Sequence, residues 1–100
     1  MSIAIPLEKE KIEDFCRRWK IAEFSLFGSV LREDFRPDSD VDVLVAFEPG
    51  SGITFSNRVE MLDELVAIFG REVDIVEKDL IRNPFRRHEI LKTKEVIYAA

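Results

Sequence analysis

Apolar and polar positions along this chain recur with two different periods, and the switches between them mark its elements. After Pro6 the run LEKEKIEDFCRRWK places Ile12, Phe15, Cys16 and Trp19 at i, i+3, i+4 and i+7, the stripe of an amphipathic helix. Glutamates gather early in that run and Arg17, Arg18 and Lys20 late, which complements a helix dipole. Its role reads as packing. Ala22 to Phe27 then reads as a strand, and Gly28 to Arg32 turns out of it into a short helical segment. Arg36-Pro37-Asp38-Ser39 has the chemistry of a loop. From Asp40 to Phe47 the period becomes two: Val41, Val43, Val45 and Phe47 share one face, while Asp40 and Asp42 share the other. Glu48-Pro49-Gly50-Ser51-Gly52 ends this strand as the most flexible stretch of the chain, a lip beside the aspartates.

The helical period returns from Thr54 to Phe69, with Phe55, Val59, Leu62, Val66 and Phe69 as its stripe and Glu60, Asp63 and Glu64 mostly outside it. Asn57 with Glu60 is suited to cap its start, and Gly70 to end it. The acidic face reads as solvated surface or as a seat for a basic partner. Glu72-Val73-Asp74-Ile75-Val76 is a third strand, with an aspartate amid β-branched residues where aspartate is disfavoured. Asn83-Pro84 opens a last helix, Asn as cap and Pro at the first helical position, carrying Phe85, Ile90 and Leu91 inward. Arg82, Arg86, Arg87 and Lys92 make this the most basic region, either a surface helix offsetting the acidic remainder or a contact for nucleotide or partner. Glu95 to Ala99 closes as a short strand. The order predicts an α/β domain with a small mixed sheet, helices mainly on one face and the carboxylates toward the other.

One hundred residues suit a single domain over residues 1–100, with no room for a second substrate-binding domain. A 46% hydrophobic and 35% charged composition is that of a globular chain. No apolar run approaches the ~20 residues of a membrane span, and the first residues lack the form of a secretory signal, so the expected compartment is the cytoplasm. Cys16 is the single cysteine, which excludes an internal disulfide and a cysteine-based zinc site. A net charge of −5 argues against strong nucleic-acid binding by phosphate neutralisation, but not against a nucleotide whose charge is met locally by metal.

The chemistry concentrates where Gly28-Ser29 is followed, ten residues on, by Asp40-Val41-Asp42. On a strand the two aspartates point the same way with Cα atoms ~6.6 Å apart. Each raises the other's pKa until a cation neutralises them, and two carboxylates at that spacing converge on one hard cation or bridge two. Gly28 lets backbone approach a ligand, and Ser29 adds a hydroxyl donor for a phosphate. Asp38, Asp40 and Asp42 do not open an EF-hand, because Val43 stands where that loop needs glycine and Pro49 where it needs glutamate.

Gly28-Ser29, Arg32, Ser39-Asp40, Asp42 and the valines after it resemble the signature of the polymerase β-like nucleotidyltransferase superfamily. From about Ala22 onward the chain is most similar to the minimal nucleotidyltransferases, several of which act as antitoxins beside HEPN-domain toxins. The resemblance implies that fold, with Asp74 joining Asp40 and Asp42 as the third metal-binding and catalytic carboxylate. It places Gly28 and Ser29 at the triphosphate of ATP. Arg32 matches the family's arginine after Gly-Ser, though Glu33 stands where a glycine is frequent, and a salt bridge from Arg32 to Glu33 or Asp34 remains the competing reading. The implied activity is magnesium-dependent transfer of AMP from ATP to a hydroxyl of a partner protein, a HEPN toxin, with hetero-oligomer and homodimer both open. The alternative is a non-catalytic antitoxin or binding module that acts by occupying its partner.

Overall fold

The computed structural model describes residues 7–31, 36, 39–53 and 57–100. Arg32, the Arg36–Ser39 loop at Pro37 and Asp38, and the expected helix start at Thr54 and Phe55 lie outside or partly outside those residues. The chain runs α1 (Lys9–Arg18), β1 (Ile21–Phe27), a 3-10 turn (Gly28–Leu31), β2 (Val41–Phe47), α2 (Arg58–Phe69), β3 (Val73–Glu77), a 3-10 turn (Lys78–Leu80), α3 (Pro84–Thr93) and β4 (Glu95–Ala99). Four strands form one sheet in the order β3-β2-β1-β4. β1 pairs antiparallel with both β2 and β4, while β2 and β3 are parallel. A parallel pair needs a crossover, and α2 supplies it.

The valine face of β2 covers the main core. Val41, Val43 and Val45 pack with Phe24 and Leu26 of β1, Ile12, Phe15 and Cys16 of α1, and Met61 and Leu65 of α2. Phe15 meets Phe24 edge-on, ring centres 6.3 Å apart, an arrangement that aromatic quadrupoles favour. Cys16 is fully buried and desolvation pushes its thiol pKa up to about 12, so it behaves as a small apolar residue without a reactive thiolate.

On the opposite face, Phe27, Leu44, Ile81 and Ile90 form a smaller cluster with Val76 and Leu91 packed against it. Here α3 covers part of the face that carries the aspartates, while α1 and α2 cover the other. Ile90 is buried as expected, but Phe85 is 85% exposed. Five residues turn a helix by roughly 500°, so Phe85 and Ile90 lie about 140° apart and cannot share one face. Asn83 does cap this helix, its side chain accepting from the N–H groups of Phe85 at 2.9 Å and Arg86 at 3.1 Å.

In α2 the buried residues are Met61 and Leu65, with Leu62, Val66 and Phe69 only partly buried and Val59 64% exposed. Two residues, ~200° around the helix, separate Val59 from Met61, so burial of one turns the other outward. Asn57 occupies the N-cap position without a side-chain cap bond. Gly70 ends the helix in the left-handed conformation, φ 71°, with its N–H on Val66 O. Glu64 is not solvated surface: its carboxylate accepts from Trp19 Nε1 at 2.8 Å and pairs with Arg18 at 2.6 Å, joining α2 to α1. Of the acidic face, Glu60 and Asp63 remain exposed.

β4 is held to the sheet by a half-buried pair. Lys94, just before the strand, donates to the Glu23 carboxylate, which also accepts from Ser25 Oγ. The Lys94 ammonium holds the Glu23 carboxyl below its ordinary range, outweighing the effect of burial. A carboxylate whose pKa is depressed on folding contributes stability above its unfolded pKa, and that contribution is lost as pH falls through the folded value. Lys94→Met is therefore expected to cost roughly 1 kcal/mol near neutrality and to flatten the loss of stability below about pH 4.3. Melting temperatures of both proteins from pH 7 to pH 3 measure this, and parallel curves would refute it.

Candidate active site

β2 lies between β1 and β3, and its register sets the site. Asp42 is opposite Phe27 on one side and opposite Asp74 on the other. Register partners on neighbouring strands lie ~4.8 Å apart with side chains on the same face, so Asp42 and Asp74 start side by side from one face of the sheet. Asp42 is half-buried and Asp74 exposed. Asp40 is exposed one residue ahead of β2, outside the ladder, which begins where Val41 pairs with Val73. Val41 N–H also donates to Glu72 O at 3.0 Å, fastening the entrance of both strands.

Gly28 closes the other side. It follows β1 with φ 75°, a conformation that L side chains rarely adopt. An added Cβ would stand 2.3 Å from Asp42 Oδ2 and 3.2 Å from its carboxyl carbon. Glycine is thus required twice, by backbone conformation and by contact with the carboxylate. Ser29 is half-buried in the turn that follows, and Val30, fully buried, anchors that turn to the core.

Beyond Asp74 the face opens into a groove of about 250 Å³ lined by Arg58, Asp74, Glu77, Leu80, Ile81 and Arg86 among others. Arg58 donates to Ile75 O on β3, and Arg87 donates to Lys78 O at 2.6 Å. Arg86 was legible in the sequence as part of a basic helix. Arg58 was not, because it lies 16 residues before Asp74 and reaches it only through the α2 crossover.

Carboxylate oxygens are hard donors suited to magnesium. Among the described residues no three acidic, histidine or cysteine side chains are gathered into a ready-made chelate. Magnesium does not require one: it keeps several waters and is held by one or two carboxylates plus substrate phosphates. Asp42 beside Asp74, with Asp40 at the entrance and open space above, fits that mode of binding.

The nucleotidyltransferase domain family model matches residues 8–97. MJ1379 of Methanocaldococcus jannaschii is 32% identical over 81% of this chain and 79% of its own. The protein adenylyltransferase MntA of Thermococcus cleftensis is 32% identical over 81% of this chain and 77% of its own. Among solved structures, a toxin–antitoxin with AMP-PNP superposes with a TM-score of 0.74 at 20% identity, covering 94% of this chain and 75% of that one. A tri-AMPylated Shewanella oneidensis HEPN toxin in complex with MNT antitoxin gives 0.66 at 19% identity, over 92% and 70%. At such identities these structures speak for the fold. The chain belongs to the nucleotidyltransferase domain family, in its minimal nucleotidyltransferase branch. No helix among the described residues is long and apolar enough to cross a membrane.

Proposed function

We propose that this protein is a magnesium-dependent adenylyltransferase that moves AMP from ATP to a hydroxyl of a partner protein, acting in the cytoplasm as antitoxin to a HEPN-domain toxin. The observation that carries the reading is the pairing of Asp42 with Asp74 against the bare backbone of Gly28. Names among the relatives and neighbours, a protein adenylyltransferase and an AMPylated HEPN toxin with its antitoxin, support the acceptor class.

In this reading Asp40 and Asp42 would hold magnesium, and Asp74 would either share in holding a second ion or accept the proton of the attacking hydroxyl. Ser29 and the Gly28 backbone grip the β- and γ-phosphates, with Arg32 assigned beside them by family resemblance. The metal supplies neutralisation of the charge that develops on the phosphate oxygens. The acceptor oxygen forms a bond to the α-phosphorus, the bond from that phosphorus to the bridging oxygen breaks, and pyrophosphate leaves with the electron pair. The hydroxyl proton passes to Asp74 or to water.

Two experiments test this. Magnesium and ATP together are expected to raise the melting temperature by more than the sum of either alone, since each supplies charge the other needs. Equal stabilisation by ATP in excess chelator would remove the metal from the site. Incubation with α-labelled ATP and magnesium in a lysate of the native host is expected to label one protein covalently, and mass spectrometry of the labelled band to find AMP on a hydroxyl.

A further inference from the structure

The three aspartates differ in what holds them. Asp42 lies inside the ladder with a strand on each side, half-buried and against Gly28. Asp74 and Asp40 are both exposed. Asp74 stands on β3, an edge strand of five residues paired on one side only, and Asp40 stands one residue ahead of the first ladder pair. A side chain that is itself in solvent is placed by its backbone, and these two backbones are at the margins of the sheet.

Each margin receives a guanidinium from an end of α2. Arg58, the first residue of the helix, is half-buried and donates to Ile75 O, the carbonyl next after Asp74 on β3. Arg71, next after the Gly70 cap, donates from Nη1 to Arg36 O at 3.3 Å. That carbonyl also accepts from Ser39 N at 3.0 Å, and Ser39 Oγ accepts from Arg36 N at 3.1 Å, so Arg71 holds a link that ends one residue before Asp40. The twelve residues of α2 span ~18 Å, and a hydrogen-bonded helix keeps its length. It therefore acts as a strut between the two margins. Its place as the crossover is secured elsewhere, by Met61 and Leu65 in the core. Water could satisfy carbonyls at a sheet margin, so the two bonds add direction more than stability.

We propose that Arg58 and Arg71 are positioning residues, which set where Asp74 and Asp40 stand around Asp42 and so the spacing of the oxygens that a divalent cation would meet. Both act through the backbone beside the carboxylate. Magnesium demands near-ideal octahedral geometry, so small shifts of its carboxylates are costly. Groups that orient a metal ligand from behind typically contribute about 10–100-fold to metal affinity or activity. The proposal rests on the metal-dependent reading of the site, but it is measurable without catalysis.

The test titrates the full chain, carbon-13 labelled and saturated with AMP-PNP, with manganese(II), and follows by NMR the paramagnetic broadening of the aspartate carboxyl carbons. In the wild type Asp40, Asp42 and Asp74 are expected to broaden together. Arg58→Met is expected to cut the broadening of Asp74 relative to Asp42 by at least about half, and Arg71→Met that of Asp40, with metal affinity about ten-fold weaker in each. Arg58→Lys and Arg71→Lys keep a donor and a charge, and are expected to restore most of the wild-type pattern. Lys94→Met, which weakens the fold at the far edge of the sheet, serves as the control for simple loss of stability and should leave the pattern unchanged. A wild-type pattern in both methionine variants overturns the proposal. So does a uniform loss at all three aspartates that Lys94→Met reproduces, which would make the arginines merely structural. Absence of broadening at Asp42 in the wild type would instead fault the metal-dependent reading itself, and the proposal with it.

Discussion

Replacing Asp42 by asparagine is expected to lower AMP transfer to the partner by at least about 10³-fold while leaving the complex with that partner intact. The substitution keeps shape and removes the charge that, in the proposed function, would hold the metal. Charge stabilisation is most of what a phosphoryl-transfer site contributes, because the protein does little covalent chemistry. Asp42 does not line the groove of Arg58 and Arg86, and Glu60 and Asp63 are exposed on α2, so contact at either place should not register the change directly. Wild type and Asp42→Asn compared side by side in pull-down and labelling assays decide the matter. A variant that neutralises its partner as well as wild type does would establish inhibition by occupancy, with the carboxylates retained only as part of the fold.

The second large effect is expected from adding one methyl group. Gly28→Ala forces an L side chain to φ 75°, which costs roughly 1–2 kcal/mol, and directs its Cβ to 2.3 Å from Asp42 Oδ2. Either the turn or the carboxylate must move. A displacement near 1 Å in a site of this kind costs about 10²-fold in rate, and the strain should lower the melting temperature by several degrees in a domain of this size. Adding Asp42→Ala to Gly28→Ala should return part of the lost stability, since the clash is then gone and only the backbone term remains. Strictly additive destabilisation in the double variant would mean that the two groups do not press on each other.

Much of the architecture could be read from periodicity because each element's own pattern reports its own burial. The alternation from Val41 to Phe47, the stripe of Ile12, Phe15 and Cys16, the Asn83-Pro84 start and the Gly70 stop all appear in the structure where their local chemistry puts them. Where a helix offered apolar residues on more than one side, periodicity failed. Val59 and Phe85 were expected inside and are exposed, whereas Glu64 was expected in solvent and is bonded to Trp19 and Arg18. Nothing within α2 or α3 distinguishes those sides; the elements packed against them do.

The same division runs through the site. The sequence by itself determined the ingredients: a glycine-serine turn at the end of one strand, aspartates on the polar face of the next, a third aspartate on a later strand, and the family to which that spacing belongs. Only the tertiary structure decided that Asp42 faces Asp74 in register, that Gly28 lies against Asp42, that Asp40 stands ahead of the ladder, and that Arg58 arrives beside Arg86. The physical reason is that spacing along a strand is set by covalent geometry and alternation, which every sequence carries. Register between strands is set by how α2 packs as it crosses from β2 to β3, a balance of contacts summed over the whole core.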